Sequence, residues 1–146
     1  VAVADVNGDG KPDLLAGTGN GLSVQLGNGD GSFQPTHVLF GIQSGVFGDF
    51  NGDGKLDVLT SSYTWLGNGD GTFRQGPAFP PLNPAPAALG SGLLGDFDGD
   101  GALDLAATMF MPSPSILPPN GLALWRGKGD GGFLTPIVAP LQAIAV

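Results

Sequence analysis

The sequence predicts an all-β protein of three similar units, each folding as four antiparallel strands, and three observations carry that prediction. Gly (27 residues) and Pro (13) are abundant, yet they lie between apolar runs, the pattern of short strands joined by tight turns. Glu is absent and charged residues make up 12% of the chain, which removes much of what favours long surface helices. Two motifs recur at a near-constant period, and internal repetition constrains a fold more than any local pattern does.

The first motif reads DVNGDGKPD (5–13), DFNGDGKLD (49–57) and DFDGDGALD (96–104). Its opening Asp recurs after 44 and then 47 residues. The second motif reads LGNGDGSF (26–33), LGNGDGTF (66–73) and RGKGDGGF (126–133). Ten of the 13 Asp lie in the first motif, the other three lie in the second, and no acidic residue falls elsewhere. A generic solvated surface would scatter its acids. The chain therefore reads as a single repeat domain, 1–146, with units at about 1–44, 45–91 and 92–146.

Each element of a unit follows from its residues. A short apolar lead-in rich in Gly and Ala (Val1–Ala4, Gly45–Gly48, Gly92–Gly95) suits a first strand where backbones crowd together. The Asp loop comes next. A second strand is expected at Leu14–Thr18, Val58–Ser62 and Leu105–Thr108, and a third at Leu22–Leu26, Tyr63–Leu66 and Leu122–Arg126. The Asn-Gly and Asp-Gly pairs of the second motif supply hairpin turn chemistry, and a fourth strand is expected to begin at Phe33, Phe73 or Phe133. Two Pro-rich stretches, Gly76–Ala88 and Met111–Asn120, read as exposed loops.

The Asp loop points to a cation. Side-chain oxygens at positions 1, 3, 5 and 9, with a backbone carbonyl at 7, suit a hard ion, and calcium takes about 6–8 oxygens in flexible geometry. Without His or Cys in the cluster, zinc and copper are poorly served. Gly at position 6 (Gly10, Gly54, Gly101) permits a sharp turn. An EF-hand is rejected, because its position 12 needs a bidentate Glu and these loops carry Ala16, Thr60 and Ala107 there. The metal-free alternative is a set of Asx-turn hairpins, which leaves the crowding of like charges without a purpose. Three divalent ions would take the net charge of -8 to about -2.

The DxNxDGxxD loop after a small apolar strand, followed by LGNGDGxF, resembles the FG-GAP/VCBS repeat. That repeat builds integrin-α-like β-propellers and occurs in bacterial surface proteins and some fungal lectins. The resemblance covers nearly the whole chain. It implies β-propeller-type blades of four strands, with one Ca2+ per repeat in the loop joining the first two strands. Carried onto this chain, the ligands are the side chains of Asp5, Asn7, Asp9 and Asp13, then Asp49, Asn51, Asp53 and Asp57, then Asp96, Asp98, Asp100 and Asp104. The carbonyls of Lys11, Lys55 and Ala102 complete the three sets. Unit three departs in having Ala102 at a usually polar position and an insertion at 111–120. Propellers typically have about 4–8 blades, so three are a partial propeller or one protomer's share of a larger assembly.

Composition excludes several roles. Five basic residues scattered along a chain of net charge -8 give no footprint for nucleic acid. No run of 18 apolar residues marks a membrane span. Catalysis has little to work with: Cys and Glu are absent and His37 is alone. The expected function is an extracellular or cell-surface module for adhesion or ligand recognition, of glycan or protein, with calcium stabilising the blades. The alternative is a structural subunit of a surface fibre assembled head to tail. Trp65 and Trp125, at equivalent positions before the second motif, together with Tyr63, either stack on a ligand or pack between units. The end Ala143-Ile-Ala-Val146 resembles the lead-in Val1-Ala-Val3, so further copies or further repeats are the expected partners. Ser and Thr beside Pro at 112–115 and 135–136 are weak compositional hints of O-glycans.

Overall fold

The computed structural model describes residues 1–42, 45–81, 88–110 and 120–140. Twelve strands form three separate four-stranded sheets, and every pairing is antiparallel between chain neighbours. Unit one contains β1 (Ala2–Ala4), β2 (Asp13–Thr18), β3 (Gly21–Gln25) and β4 (His37–Leu39). Unit two contains β5 (Val46–Gly48), β6 (Asp57–Leu59), β7 (Tyr63–Gly67) and β8 (Phe73–Ala78). Unit three contains β9 (Ala88–Gly95), β10 (Asp104–Phe110), β11 (Asn120–Trp125) and β12 (Ile137–Pro140). These are propeller-type blades in an arc that does not close on itself.

Four expectations are corrected. The fourth strand starts at Phe73 only in unit two; Phe33 and Phe133 make isolated bridges to Gly27 and Gly127, and β4 and β12 begin four residues later. Pro35 and Pro136 lie in those gaps and offer no N–H to a ladder. The second strand of unit two stops at Leu59, because Thr60 turns the chain: its N–H donates to the Tyr63 carbonyl at 2.9 Å and its Oγ1–H to the same oxygen at 2.8 Å. Gly76–Ala78, read as loop, belongs to β8, an edge strand that tolerates Pro77. The first strand of unit three begins at Ala88 rather than Gly92. Residues 82–87 and 111–119 of the Pro-rich stretches, and Ala143–Val146, lie outside the described residues.

The core sits between sheets rather than within them. One cluster joins Val6, Leu15, Leu22, Val24 and Ile42 of unit one to Val58, Trp65 and Phe73 of unit two. The other joins Phe50, Leu59 and Phe79 to Leu105, Ala123, Trp125 and Phe133 of unit three. A four-stranded sheet cannot hide its apolar face alone, so stacking on the next unit supplies the burial, about 1.5–3 kcal/mol for each fully buried large side chain. This stacking brings the Asp loop of one unit beside the second motif of the next.

Candidate metal centres

Each Asp loop runs from a first strand to a second and turns twice through left-handed glycines, Gly8 and Gly10 (φ 73° and 79°) in the first copy. The same pair recurs as Gly52 and Gly54, then Gly99 and Gly101. Two positive-φ residues so close together fold the loop inward, which is why the motif carries Gly there.

The opening Asp organises the turn. In loop one, Asp5 Oδ1 accepts the N–H of Gly8 (2.8 Å) and of Asp9 (3.2 Å), and Oδ2 accepts that of Gly10 (2.7 Å). Asp49 and Asp96 repeat all three bonds in their own loops. At position 3, Asn7, Asn51 and Asp98 each accept the N–H two residues on. At position 5, Asp9, Asp53 and Asp100 accept the N–H of Lys11, Lys55 and Ala102.

Position 9 differs. Asp13, Asp57 and Asp104 are fully buried, yet each has both oxygens satisfied. Asp13 accepts the Val6 N–H at 2.9 Å and the Gly27 N–H at 2.8 Å. Asp57 does the same with Phe50 and Gly67, and Asp104 with Phe97 and Gly127. One carboxylate thus ties the Asp loop to the second motif of its own unit. The glycine at the far end is obligatory for space: a Cβ on Gly67 would sit 2.2 Å from the Leu56 carbonyl oxygen. An ionised carboxylate offers about four lone-pair sites, so these oxygens keep room for a cation.

In the third loop, oxygens of Asp96, Asp98 and Asp104 lie within 4.8 Å of one another. The donor set of all three loops is oxygen only, which fits a hard divalent ion.

The charges around the loops are modest and exposed. Lys11 pairs with Asp9 at 3.4 Å and Lys55 with Asp53 at 3.9 Å, their stems lying over Gly29 and Gly69. Ala102 cannot do this, and in unit three Arg126 of the second motif reaches Asp98 at 3.7 Å instead. Exposed pairs of this kind are worth little, about 0–1 kcal/mol each. The Lys11 amide holds Asp9 below the usual carboxylate range, with Asn7 and the Lys11 charge adding to it against partial desolvation. Desolvation raises Asp53, but the Lys55 amide, Asn51 and the Lys55 and Arg74 charges outweigh it, so the net direction is down. Burial pushes Asp57 up, against the Gly67 and Phe50 amides and with help from the Asp53 and Asp49 charges.

The second motif does more than turn a hairpin. Asp30 and Asp70 cap their own turns on Ser32 and Thr72, and Asp130 on the Gly132 N–H. Its Asp-Gly glycine also reaches across to the preceding unit: Gly71 N–H donates to the Val6 carbonyl at 3.2 Å, and Gly131 N–H to the Phe50 carbonyl at 3.0 Å. Sequence reasoning missed this joint, which links residues 65 and 81 positions apart in the chain.

The aromatic candidates separate. Trp125 is fully buried against Phe79 (centroids 5.2 Å apart), and its Nε1–H donates to the Pro80 carbonyl at 3.1 Å. It has no face to offer a ligand, because Phe79 from the preceding unit takes that face. Trp65 is half-buried and, with the exposed Tyr63, lines a cleft of about 350 Å³ that also includes Gly41, Thr60, Ser61, Ser62 and Gln75. No charged residue lines it.

A family model described as FG-GAP-like repeat matches residues 5–60 and 49–107, which together span more than half of the chain. A comparison with curated proteins finds no match. Among the described residues, no helix is long and apolar enough to cross a membrane.

Proposed function

The chain belongs to the FG-GAP-like repeat family, and from that premise we propose a calcium-rigidified repeat module working outside the cell in adhesion or ligand recognition. The observation that carries the metal assignment is the third loop, where Asp96, Asp98 and Asp104 converge within 4.8 Å and Asp104 is pinned by two backbone amides. Loops one and two repeat the same hydrogen bonds with Asn7 and Asn51 at position 3. In each loop the side chains at positions 1, 3, 5 and 9 and the carbonyl of Lys11, Lys55 or Ala102 would hold the ion. Mixed carboxylate, amide and carbonyl donors suit calcium better than magnesium, which dehydrates reluctantly and demands a strict octahedron. A bound ion supplies the positive charge that these crowded carboxylates lack.

Because Asp13, Asp57 and Asp104 also grip the second motif, an ion held by them stiffens the whole blade. With free calcium at about ten times its dissociation constant, each site contributes about 1.4 kcal/mol, or about 4 for three. Extracellular calcium modules bind at about 0.1–1 mM, which matches such a role outside the cell. The module is proposed to be non-enzymatic, since the loop aspartates are committed to backbone amides and the metal, and His37 stands alone. Recognition is assigned to the Trp65–Tyr63 cleft, whose aromatic wall and uncharged hydroxyl and amide groups suit a neutral glycan or an uncharged peptide segment.

Calorimetry on chelator-stripped protein tests the metal: about three calcium equivalents and a raised melting temperature are expected, and no heat with no melting shift overturns it. Retention on a neutral-glycan surface, lowered by Tyr63→Ala, tests the cleft, and equal retention of both proteins removes it.

A further inference from the structure

Four of the six motif loops contain an Asn-Gly pair, and the structure sorts the four pairs into two classes. In the Asp loops the pairs are Asn7-Gly8 and Asn51-Gly52. Each glycine N–H there donates to a carboxylate, Gly8 to Asp5 Oδ1 and Gly52 to Asp49 Oδ1, both at 2.8 Å. Asn7 and Asn51 are half-buried, and their Oδ1 atoms accept the N–H of Asp9 at 3.1 Å and of Asp53 at 3.0 Å. In the second motif the pairs are Asn28-Gly29 and Asn68-Gly69. Asn28 and Asn68 are exposed, and among the described residues neither the Gly29 nor the Gly69 N–H has a hydrogen-bond partner. Two further pairs, 20–21 and 120–121, lie where β3 and β11 begin, and their glycines are paired in the ladders.

The backbone nitrogen that follows an Asn can attack the Asn side-chain carbonyl. That nitrogen gives its proton to base and bonds to Cγ, the Cγ–Nδ2 bond breaks, and the amide leaves with a proton as ammonia. Water then opens the five-membered succinimide at either carbonyl and leaves Asp or isoaspartate. Glycine is the most permissive follower, because no side chain shields its nitrogen. The step needs an N–H free to lose its proton and an amide free to turn onto the nitrogen. At Gly8 and Gly52 the N–H is held on a carboxylate, whose negative charge opposes loss of the proton. At Gly29 and Gly69 it is free, and the stems of Lys11 and Lys55 lie against those glycines, placing a cationic side chain beside the nitrogen that must become anionic. The Asn28 and Asn68 amides bond only to a hydroxyl on an exposed turn, Ser32 Oγ or Thr72 Oγ1, each at 2.9 Å.

We propose that Asn28 and Asn68 are sites of spontaneous deamidation, and that Asn7 and Asn51 in the Asp loops are protected from it. Each conversion adds a negative charge, and isoaspartate also adds a methylene to the backbone. At position 68 both changes fall in the turn that presents the Gly71 N–H to the Val6 carbonyl, a turn closed by the Asn68 N–H on the Thr72 carbonyl at 2.9 Å. The product loses the Nδ2 donor to Thr72 and sets a second carboxylate near Asp70. Ageing at Asn68 therefore loosens the joint between units one and two. Unit three is exempt, since Asp98 and Lys128 stand at the two Asn positions. The proposal rests on hydrogen bonds present without an ion and is independent of the metal assignment.

Peptide mapping by mass spectrometry reads each Asn separately in the 146-residue chain, aged folded in mildly alkaline calcium buffer and, in parallel, unfolded in urea. The unfolded rates normalise for local sequence. After that normalisation, Asn7 and Asn51 in the folded chain are expected to convert about 10–100-fold more slowly than Asn28 and Asn68, the range a hydrogen bond to a charged acceptor supplies. The same order is expected in excess chelator, because Asp5 and Asp49 hold their glycines without an ion. Asn68→Lys, the residue type that Lys128 already places at this turn, should leave Asn28 converting at its former rate. Amide exchange at Gly71 should quicken as the wild-type chain ages and stay constant as that variant ages. Equal normalised rates at all four residues, or no conversion of Asn28 and Asn68 in the folded chain, overturns the site assignment. An aged wild-type chain whose Gly71 amide exchanges as before overturns the loosening of the joint.

Discussion

Asp57→Ala removes a fully buried carboxylate whose oxygens accept the N–H of Phe50 at 2.9 Å and of Gly67 at 2.8 Å. Both donors stay where they are, because each belongs to a backbone segment fixed by its own packing. An orphaned buried N–H costs about 1–3 kcal/mol, so two cost about 2–6 kcal/mol. Part of this returns, since burial pushes the Asp57 carboxyl up and its ionised form is therefore held at some cost. The net expectation is a loss of about 2–4 kcal/mol. For a chain of this size that is a fall in melting temperature of about 5–15 °C. Urea denaturation in excess chelator isolates the effect from any metal, and Asp57→Asn, which keeps one acceptor, should recover about half of it. A loss below about 0.5 kcal/mol in chelator, the range of an ordinary surface change, would refute the reasoning that this carboxylate joins loop to hairpin.

Trp125→Ala empties the space between Phe79 and the third sheet, and urea titration should show a loss of about 3–5 kcal/mol. Tyr63→Ala, on the exposed rim, should cost far less in the same assay. Thr64 Oγ1 is buried without a hydrogen-bond partner among the described residues, so Thr64→Val should raise stability by about 1 kcal/mol, and a loss of that size would reveal a partner water. The Thr72 hydroxyl and amide hold Asp70 below the usual carboxylate range, and Ser32 does the same for Asp30. A folded-state value below the unfolded one, near ~3.9, means that the turns gain stability above that pH and lose it as pH falls through the folded value. Amide exchange at Ser32 and Thr72 should therefore quicken in acid beyond its intrinsic trend, and Thr72→Val should reduce that excess at its own turn, where the backbone amide still donates to Asp70.

Much of the fold was legible because the repeat announces itself. The two motifs located every turn between the first and second and the third and fourth strands, and the all-β reading holds throughout the described residues. Strand ends were less legible. Pro35, Pro136 and Pro77 look alike in sequence, yet the first two lie in gaps before a short fourth strand while Pro77 sits inside β8. What separates them is distance from the Phe that starts the hairpin return. At the loops, residue types pointed to a hard cation, but they did not reveal that position 9 is buried and bonded to a hairpin glycine 10–23 residues away. That bond closes over a strand pair, and no local pattern encodes it.

The sequence by itself determined the unit, its turns and its chemistry. Glycine at positions needing a left-handed backbone, Asp and Asn at alternate positions, and short apolar runs are all local requirements, each satisfied within about ten residues. The tertiary structure alone decided what the aromatic residues do. Trp65 and Trp125 hold equivalent positions, yet Phe79 and the Pro80 carbonyl cover Trp125 while Trp65 still lines a cleft. Likewise Phe50 and Phe97 occupy the same place in their loops, and Phe50 is buried against Phe133 of unit three while Phe97 is exposed. Burial is a property of neighbours, and in a stacked repeat the neighbours come from the next unit along.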